Sequence, residues 1–262
     1  MAKLTRKQRA AHQNALDILK KDQLTEDEKW TVLENYHEGA EHAAGAIGAF
    51  FTPPGLARDF SIDAMTGRRV LDICAGIGGL AFQVFNRAQY TRDGNSPALD
   101  YVCIEQNPDY VEVGKKILPE ATWICADAGD LPDLGLGYFD SVISNPPFGK
   151  VRRDWKAPRY TGADFDLALV DLVSDHAAYG AFILPQTSSG FVYSGAQMYR
   201  ETKSAKYRKF ESETGLTFEV GCGVDTSYYR GDWKDASPLC EICTIDFEPV
   251  QELRRPLERA AA

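Results

Sequence analysis

Asn145-Pro146-Pro147-Phe148 holds the residue types best placed to do chemistry in this chain. The Asn145 amide carbonyl and the Pro146 backbone carbonyl give two acceptors facing the same way, and Phe148 supplies an apolar platform. A planar amine with two hydrogens to donate, carried on a flat ring, suits that set. The residues just ahead, Phe139-Asp140-Ser141-Val142-Ile143-Ser144, are apolar and β-branched and read as a buried parallel strand. Two consecutive prolines cannot continue a sheet ladder, so the strand stops at Asn145. The four residues then lie at the carboxyl end of a strand, where ligands bind in open α/β sheets. A plain exit from strand to loop is the alternative reading.

A second constellation stands upstream. Arg69-Val70-Leu71-Asp72-Ile73-Cys74-Ala75-Gly76-Ile77-Gly78-Gly79-Leu80 reads as a strand, a glycine-rich turn and the start of a helix. Glycines let the backbone approach a ligand, and a helix start offers unpaired amides. A dinucleotide-binding loop ends Gly-x-x-Gly, whereas here Gly76 is followed by Gly78-Gly79. The Asp72 carboxylate would oppose a pyrophosphate and suit a cationic ligand. The next strand, Tyr101 to Ile104, ends in Glu105, an acidic side chain placed to take both hydroxyls of a ribose. Asn107-Pro108 starts a helix, and a third strand, Ala121 to Ala126, ends in Asp127-Ala128.

The flanking segments must position these groups. Residues 1–50 read as helical, with a capping-box pattern at Thr25-Glu26-Asp27-Glu28 and with His37 and His42 as packing or surface residues. Phe51-Thr52-Pro53-Pro54 is an extended entry to a helix, and the Thr52 hydroxyl could receive a carboxylate. Residues 86–99 read as an exposed connection. After Phe148 comes a basic segment in which Lys150, Arg152, Arg153, Lys156 and Arg159 alternate with Trp155 and Tyr160. Such a loop can contact phosphates and stack on bases, or simply be a solvated surface. Residues 164–173 read as a helix, 178–185 as a turn and strand, and 198–210 as a second basic helix. Phe218–Tyr229 and Cys240–Phe247 read as two antiparallel strands.

Composition bounds the class. The 262 residues are 44% hydrophobic and 26% charged, ordinary for a globular enzyme. A net charge of -9 argues against a uniformly basic nucleic-acid binder. No apolar run approaches a membrane span, and the start lacks a signal-type apolar core, so a cytoplasmic protein is expected. Cys240 and Cys243, in a strand, would point to opposite faces, a poor geometry for one metal, so none is expected.

In order, the Phe-Phe-Thr-Pro segment, the glycine loop and the Asn-Pro-Pro-Phe motif resemble the S-adenosylmethionine-dependent amino-methyltransferases of the DNA adenine-N6 type. That family's motif is Asn, Asp or Ser, then Pro-Pro, then Tyr, Phe or Trp. The resemblance implies an α/β class I methyltransferase (Rossmann-like) fold: a mostly parallel sheet with a C-terminal antiparallel hairpin and an N-terminal helical segment. It divides the chain into a helical segment (1–47), a catalytic domain (48–248) and a tail (249–262). It assigns catalysis to Asn145, Pro146, Pro147 and Phe148. For the cofactor, S-adenosyl-L-methionine, it implies Phe51, Thr52 and Pro53 at the methionine end, with Asp72, Cys74, Gly76, Gly78 and Asn145. Glu105 then meets the ribose, and Asp127 with Ala128 the adenine. Lys150, Arg152 and Arg153 would touch substrate, as would Tyr228, with Tyr229 and Trp233 as rival base-stacking aromatics. The implied partner is nucleic acid, DNA first, with the target base extruded from the stack. Almost no chain remains for a target-recognition domain, so a separate specificity subunit or the amino-terminal helices would have to supply recognition. The alternatives are an RNA-base or protein-glutamine amino-methyltransferase, and a non-enzymatic cofactor-binding specificity or decoy subunit. The glutamine enzymes usually carry Tyr where Phe148 stands.

Overall fold

The computed structural model describes residues 4–38, 50–64, 67–93, 97–234 and 236–254; the expectations on His42, on residue 48 and on the tail beyond Arg254 fall outside them. The main strands are β1 (Arg69–Ile73), β2 (Asp100–Glu105), β3 (Thr122–Cys125), β4 (Phe139–Ser144), β5 (Ala177–Pro185) and β8 (Cys240–Asp246). They form a six-stranded sheet in the order β3-β2-β1-β4-β5-β8. All neighbours pair in parallel except β5 and β8, which run antiparallel with Phe182 opposite Cys243. The helices that follow the strands are α4 (Gly79–Thr91), α5 (Pro108–Ile117) and α6 (Phe165–Val173), and α3 (Pro54–Asp63) precedes the sheet. The chain leaves β5 through a one-turn helix, α7 (Gln186–Ser189).

Successive strand side chains point to opposite faces, and here both faces are buried. Leu71 and Ile73 of β1 join one apolar cluster and Val70 the other. Phe182 and Leu184 of β5 divide from Ala181 and Ile183 in the same way. Cys240 and Cys243 likewise belong to different clusters, so the two thiols sit on opposite faces of the sheet. This double burial is why the strands read as continuous apolar runs.

The amino-terminal helices α1 (Arg6–Ile18) and α2 (Glu26–Asn35) each begin with a capping box. Thr25 and Glu28 form the expected one; Thr5 and Gln8 form a second, which the Ser/Thr-x-x-Gln spacing also encodes. The two helices pack through Val32, Leu33 and Tyr36 onto Phe82 of α4 and Tyr110 and Ile117 of α5. His37 is buried in this packing. Among the described residues no helix is long and apolar enough to cross a membrane.

Three local expectations change. Helix α4 runs on to Thr91, so the exposed connection starts later than residue 86. The stretch 198–210 is not one helix: Arg200–Glu201 forms β7, paired with β6 (Phe191–Val192), and the helix, α8 (Ala205–Thr214), starts at a Ser204 cap. The terminal hairpin is present, but its first arm is a single bridge in which Glu219 and Thr244 exchange two 2.9 Å hydrogen bonds. Thr226–Tyr229 is then a 3-10 turn capped by Asp225, because that side chain takes the Ser227 amide and bends the chain away. The described part of the tail, which reads from sequence as a solvated helix or a disordered end, is a short helix, α9 (Glu248–Arg254).

Candidate active site

Strand β4 delivers Asn145 to the carboxyl edge of the sheet beside the end of β1, and the buried Ser144 hydroxyl donates to the Ile73 carbonyl, tying the two strand ends together. The Asn145 amide donates from Nδ2 to the Phe50 carbonyl at 2.9 Å and to the Thr52 hydroxyl at 3.0 Å. Its Oδ1 is buried and accepts no hydrogen bond. The amide is therefore anchored by its nitrogen end and presents its oxygen. Pro146 and Pro147 are buried, and Phe148 is half-buried against the core.

Asn145 lines a narrow cleft with a cavity volume of about 40 Å³. Phe51, Thr52, Asp72, Cys74 and Gly76 share that lining, so six expected positions meet in one place. The glycine loop is held open by its backbone. Cys74 has a φ of 60°, unusual for a residue with a Cβ, and Gly76 and Gly78 have φ of 56° and 85°. A Cβ on Gly76 would stand 3.1 Å from the Phe51 ring, so glycine is what lets Phe51 close over the loop. Gly78 caps the start of α4, and Pro53 caps α3.

Two carboxylates face this loop from strand ends. Glu105 accepts from the Gly76 amide and the Asn107 amide, both at 2.9 Å, while its burial raises its pKa. Asp72 is 1% exposed, and Oδ2 accepts from the Ala81 amide at 3.1 Å. Its other oxygen, Oδ1, has no partner. Burial, with the Glu105 charge adding to it, pushes the Asp72 carboxyl up to about 8. A buried carboxyl that lacks a partner is a place for a donor, and a cation above all.

Asp127 and Ala128 stand apart from the glycine loop, at the end of β3. Asp127 caps a short 3-10 helix (Ala128–Asp133), accepting from the Gly129 amide at 2.8 Å. Trp155 covers this turn so closely that a Cβ on Gly129 would lie 2.3 Å from its ring. That corrects the expectation for the basic loop's aromatics. Trp155 packs on Gly129 and on Phe165, with ring centroids 5.5 Å apart, and Tyr160 is buried in the core. Neither ring is free to stack on a base.

The loop's cations divide too. Arg153 donates to the Trp155 and Gly162 carbonyls and lies over the Trp155 ring at 4.9 Å. Arg159 pairs with the buried Asp171 at 3.1 Å and with Asp175 at 2.6 Å. Lys150, Arg152 and Lys156 remain exposed. The Arg152 pair with Asp154 is 3.4 Å long and almost wholly in water, so it contributes little. Of the stacking candidates, Tyr228 is 84% exposed, Trp233 is buried, and the Tyr229 hydroxyl donates to Asp59 of α3.

Phe50, the first residue of the Phe-Phe-Thr-Pro segment, also lines the cleft, and sequence reasoning missed Leu33, which lines it from α2. The only signal was the apolar periodicity of α2, and it does not say what that face covers. Lys234 was missed as well. Its ammonium donates to the Tyr36 carbonyl at 2.6 Å and the Leu33 carbonyl at 3.2 Å, and sits 5.9 Å from the Phe51 ring centre. Burial lowers its pKa.

No protein-family model and no curated protein matches the sequence. Solved structures do resemble the fold. A Vibrio vulnificus protein described as the modification subunit of a type I restriction enzyme aligns with a TM-score of 0.57 at 14% identity. The alignment covers 85% of this chain and 50% of that one, so this chain spans half the length of that subunit. A Listeria monocytogenes protein described as a class I S-adenosylmethionine-dependent methyltransferase aligns with a TM-score of 0.56 at 13% identity, over 91% and 80% of the two chains. At such identities the likeness concerns architecture, and the architecture is the class I methyltransferase fold.

Proposed function

We propose that this chain transfers a methyl group from S-adenosylmethionine to the exocyclic amine of adenine in DNA. The observation that carries the reading is the Asn145 amide, fixed through Nδ2 to Phe50 and Thr52 while Oδ1 lies buried without a partner. An unmade bond at a buried acceptor costs roughly 1–3 kcal/mol, which an incoming N–H donor would recover.

The cleft fits the cofactor by the chemistry of its donors and acceptors. The orphaned Asp72 Oδ1 would take the ammonium of the aminoacyl end, with Thr52 and the glycine-loop amides near its carboxylate. Each Glu105 oxygen accepts one amide and keeps a lone pair for a ribose hydroxyl. Asp127 would receive the adenine amine beside Ala128, under the Trp155 wall. When bound, the cofactor supplies an electrophilic methyl group on a sulfonium sulfur.

The protein's own part is orientation. An exocyclic amine is a poor nucleophile because its lone pair is delocalised into the ring. Hydrogen bonds from its two protons to Asn145 Oδ1 and the Pro146 carbonyl favour a pyramidal nitrogen and stabilise the charge that develops on it. Phe148 packs on the extruded base, and alignment does the rest. The exposed Lys150, Arg152 and Lys156 would hold flanking phosphates, and a separate specificity subunit would choose the sequence. We place the reaction in the cytoplasm, in a modification system of the kind the Vibrio vulnificus subunit's description names.

Incubating the chain with methyl-labelled cofactor and DNA, RNA or cell-extract protein tests this. Label in the N6 position of DNA adenine is expected. Label in RNA or in protein glutamine would move the substrate, and cofactor binding without transfer to any of them would make the chain a binding subunit.

A further inference from the structure

The end of β5 opens onto a depression of about 580 Å³ that lies outside the cleft described above. One wall is the β6–β7 ribbon with Gln197, Met198 and Arg200; the other is the turn carrying Ser227 and Arg230, with Leu239 at its edge. Two arginines line it and no carboxylate does, in a chain whose net charge is -9. Neither Arg200 nor Arg230 makes an ion pair among the described residues. Glu201, the strand neighbour of Arg200, points to the other face of the ribbon.

The walls are fastened to each other from below. The Glu241 carboxylate, 1% exposed, accepts from Gln186, from the Tyr193 and Ser194 amides and from the Ser194 hydroxyl, at 2.7–3.1 Å. The same Ser194 hydroxyl accepts from the Thr226 amide at 3.0 Å, and Asp225 takes the Gly195 amide at 3.0 Å. Met198 is 75% exposed, while Tyr199, stacked on Phe191 at 5.7 Å between ring centres, belongs to the other face of the ribbon, that of Glu201. Two unpaired guanidiniums on one face, with an exposed thioether beside them, make a surface for a chain of phosphates.

Its position relates it to Asn145. Ser144 pairs with Phe182, so Gln186 lies three residues beyond the level of Asn145 on the adjacent strand. At about 3.3 Å per residue that is on the order of 10 Å, close to three base steps of about 3.4 Å each. The far wall also borders the site, since the Tyr229 ring fills the space where a Cβ on Gly55 would lie, at 2.8 Å, just after Thr52.

We infer that this depression holds the backbone of the DNA strand a few nucleotides from the extruded adenine, with phosphates on Arg200 and Arg230. The inference rests on the DNA reading above. Its test is fluorescence anisotropy of a labelled mixed-sequence duplex, titrated with the full chain at 50 to 200 mM salt. An Arg200→Ala/Arg230→Ala variant should bind more weakly, and its slope of log affinity against log salt should be shallower by up to about 1.8, at roughly 0.9 per phosphate no longer neutralised. Its calorimetric affinity for the cofactor should match the parent's. An Arg200→Lys/Arg230→Lys variant should recover most of the slope, because lysine keeps the charge. A double-alanine slope equal to the parent's would overturn the groove and leave the DNA reading standing. So would a lysine variant as weak as the alanine one, which would mark the arginines as structural. A parent that binds no duplex at any salt would remove the DNA reading and the groove with it.

Discussion

Thr52 accepts a hydrogen bond from the Asn145 amide at 3.0 Å, across 93 residues of sequence. The Phe50 carbonyl, which can only accept, decides which end of the amide faces the cleft, and the Thr52 bond holds the same nitrogen in place. Asn145→Ala should lower the methylation rate by roughly 100-fold or more and leave cofactor affinity nearly intact. Thr52→Val loses one of the two bonds that hold the Asn145 nitrogen, worth about 0.5–1.5 kcal/mol, and should cost roughly 2- to 13-fold in rate, together with some cofactor affinity. Single-turnover kinetics beside equilibrium binding check both. An Asn145→Ala variant with most of its rate would remove Asn145 from the chemistry.

Asp72 should couple stability to pH. Its folded carboxyl stays protonated up to about 8, against an ordinary value of 3.8. The folded state thus holds a proton that the unfolded chain has released, and stability falls as pH rises between those values, by up to about 1.4 kcal/mol per pH unit. Asp72→Asn keeps the shape and removes the titration. The variant's advantage in Tm should widen from pH 5 to pH 8 and level off above it, while its affinity for the cofactor drops. A Tm difference that stays constant with pH would show that Asp72 does not titrate in this range.

Gly129 carries Trp155 at a distance no side chain permits. Gly129→Ala must push the ring away and should cost about 1–3 kcal/mol of stability, as overpacking generally does. Trp155→Ala in the same background should relieve most of that penalty. Denaturant melts of the two single variants and the double variant measure the coupling, and simple additivity would mean that the ring does not rest there.

The exposed cations beyond Phe148 give a salt test of their own. Lys150→Ala with Arg152→Ala should weaken DNA binding and make its salt slope shallower, by up to about 0.9 for each phosphate left without its cation. Arg153→Ala should instead destabilise the fold, because its guanidinium holds the Trp155 and Gly162 carbonyls. Equal slopes for the parent and the Lys150/Arg152 variant would leave the loop as solvated surface.

The contrast between these cations shows what the sequence could and could not reveal. The β4 exit, the glycine loop and the Thr25 cap are local: prolines, glycines and side chains three apart impose their geometry wherever they fall. The free or engaged state of an arginine is not local. Arg152 and Arg153 are adjacent and alike in sequence, and only the placing of Gly162 and Trp155 separates them. Tyr160 and Trp233 read as surface aromatics because nothing nearby in sequence says that α6, or the sheet face, will cover them. Leu33 was legible as an apolar helix position and illegible as a wall of the cleft. That meaning comes from α4, whose approach is set by packing.

Lys234 holds the carboxyl end of α2 through the Leu33 and Tyr36 carbonyls, the former 201 residues earlier in the chain. On a ribosome adding about 5–20 residues per second, roughly 10–40 s separate the two. Throughout that interval the nascent helix has its apolar face, but not the ammonium that holds its last carbonyls. Every residue that lines the cleft has been made by Asn145, so its walls exist well before the lysine that fastens the end of α2, and that wall is secured only when nearly all of the sheet, save its antiparallel strand, has been made.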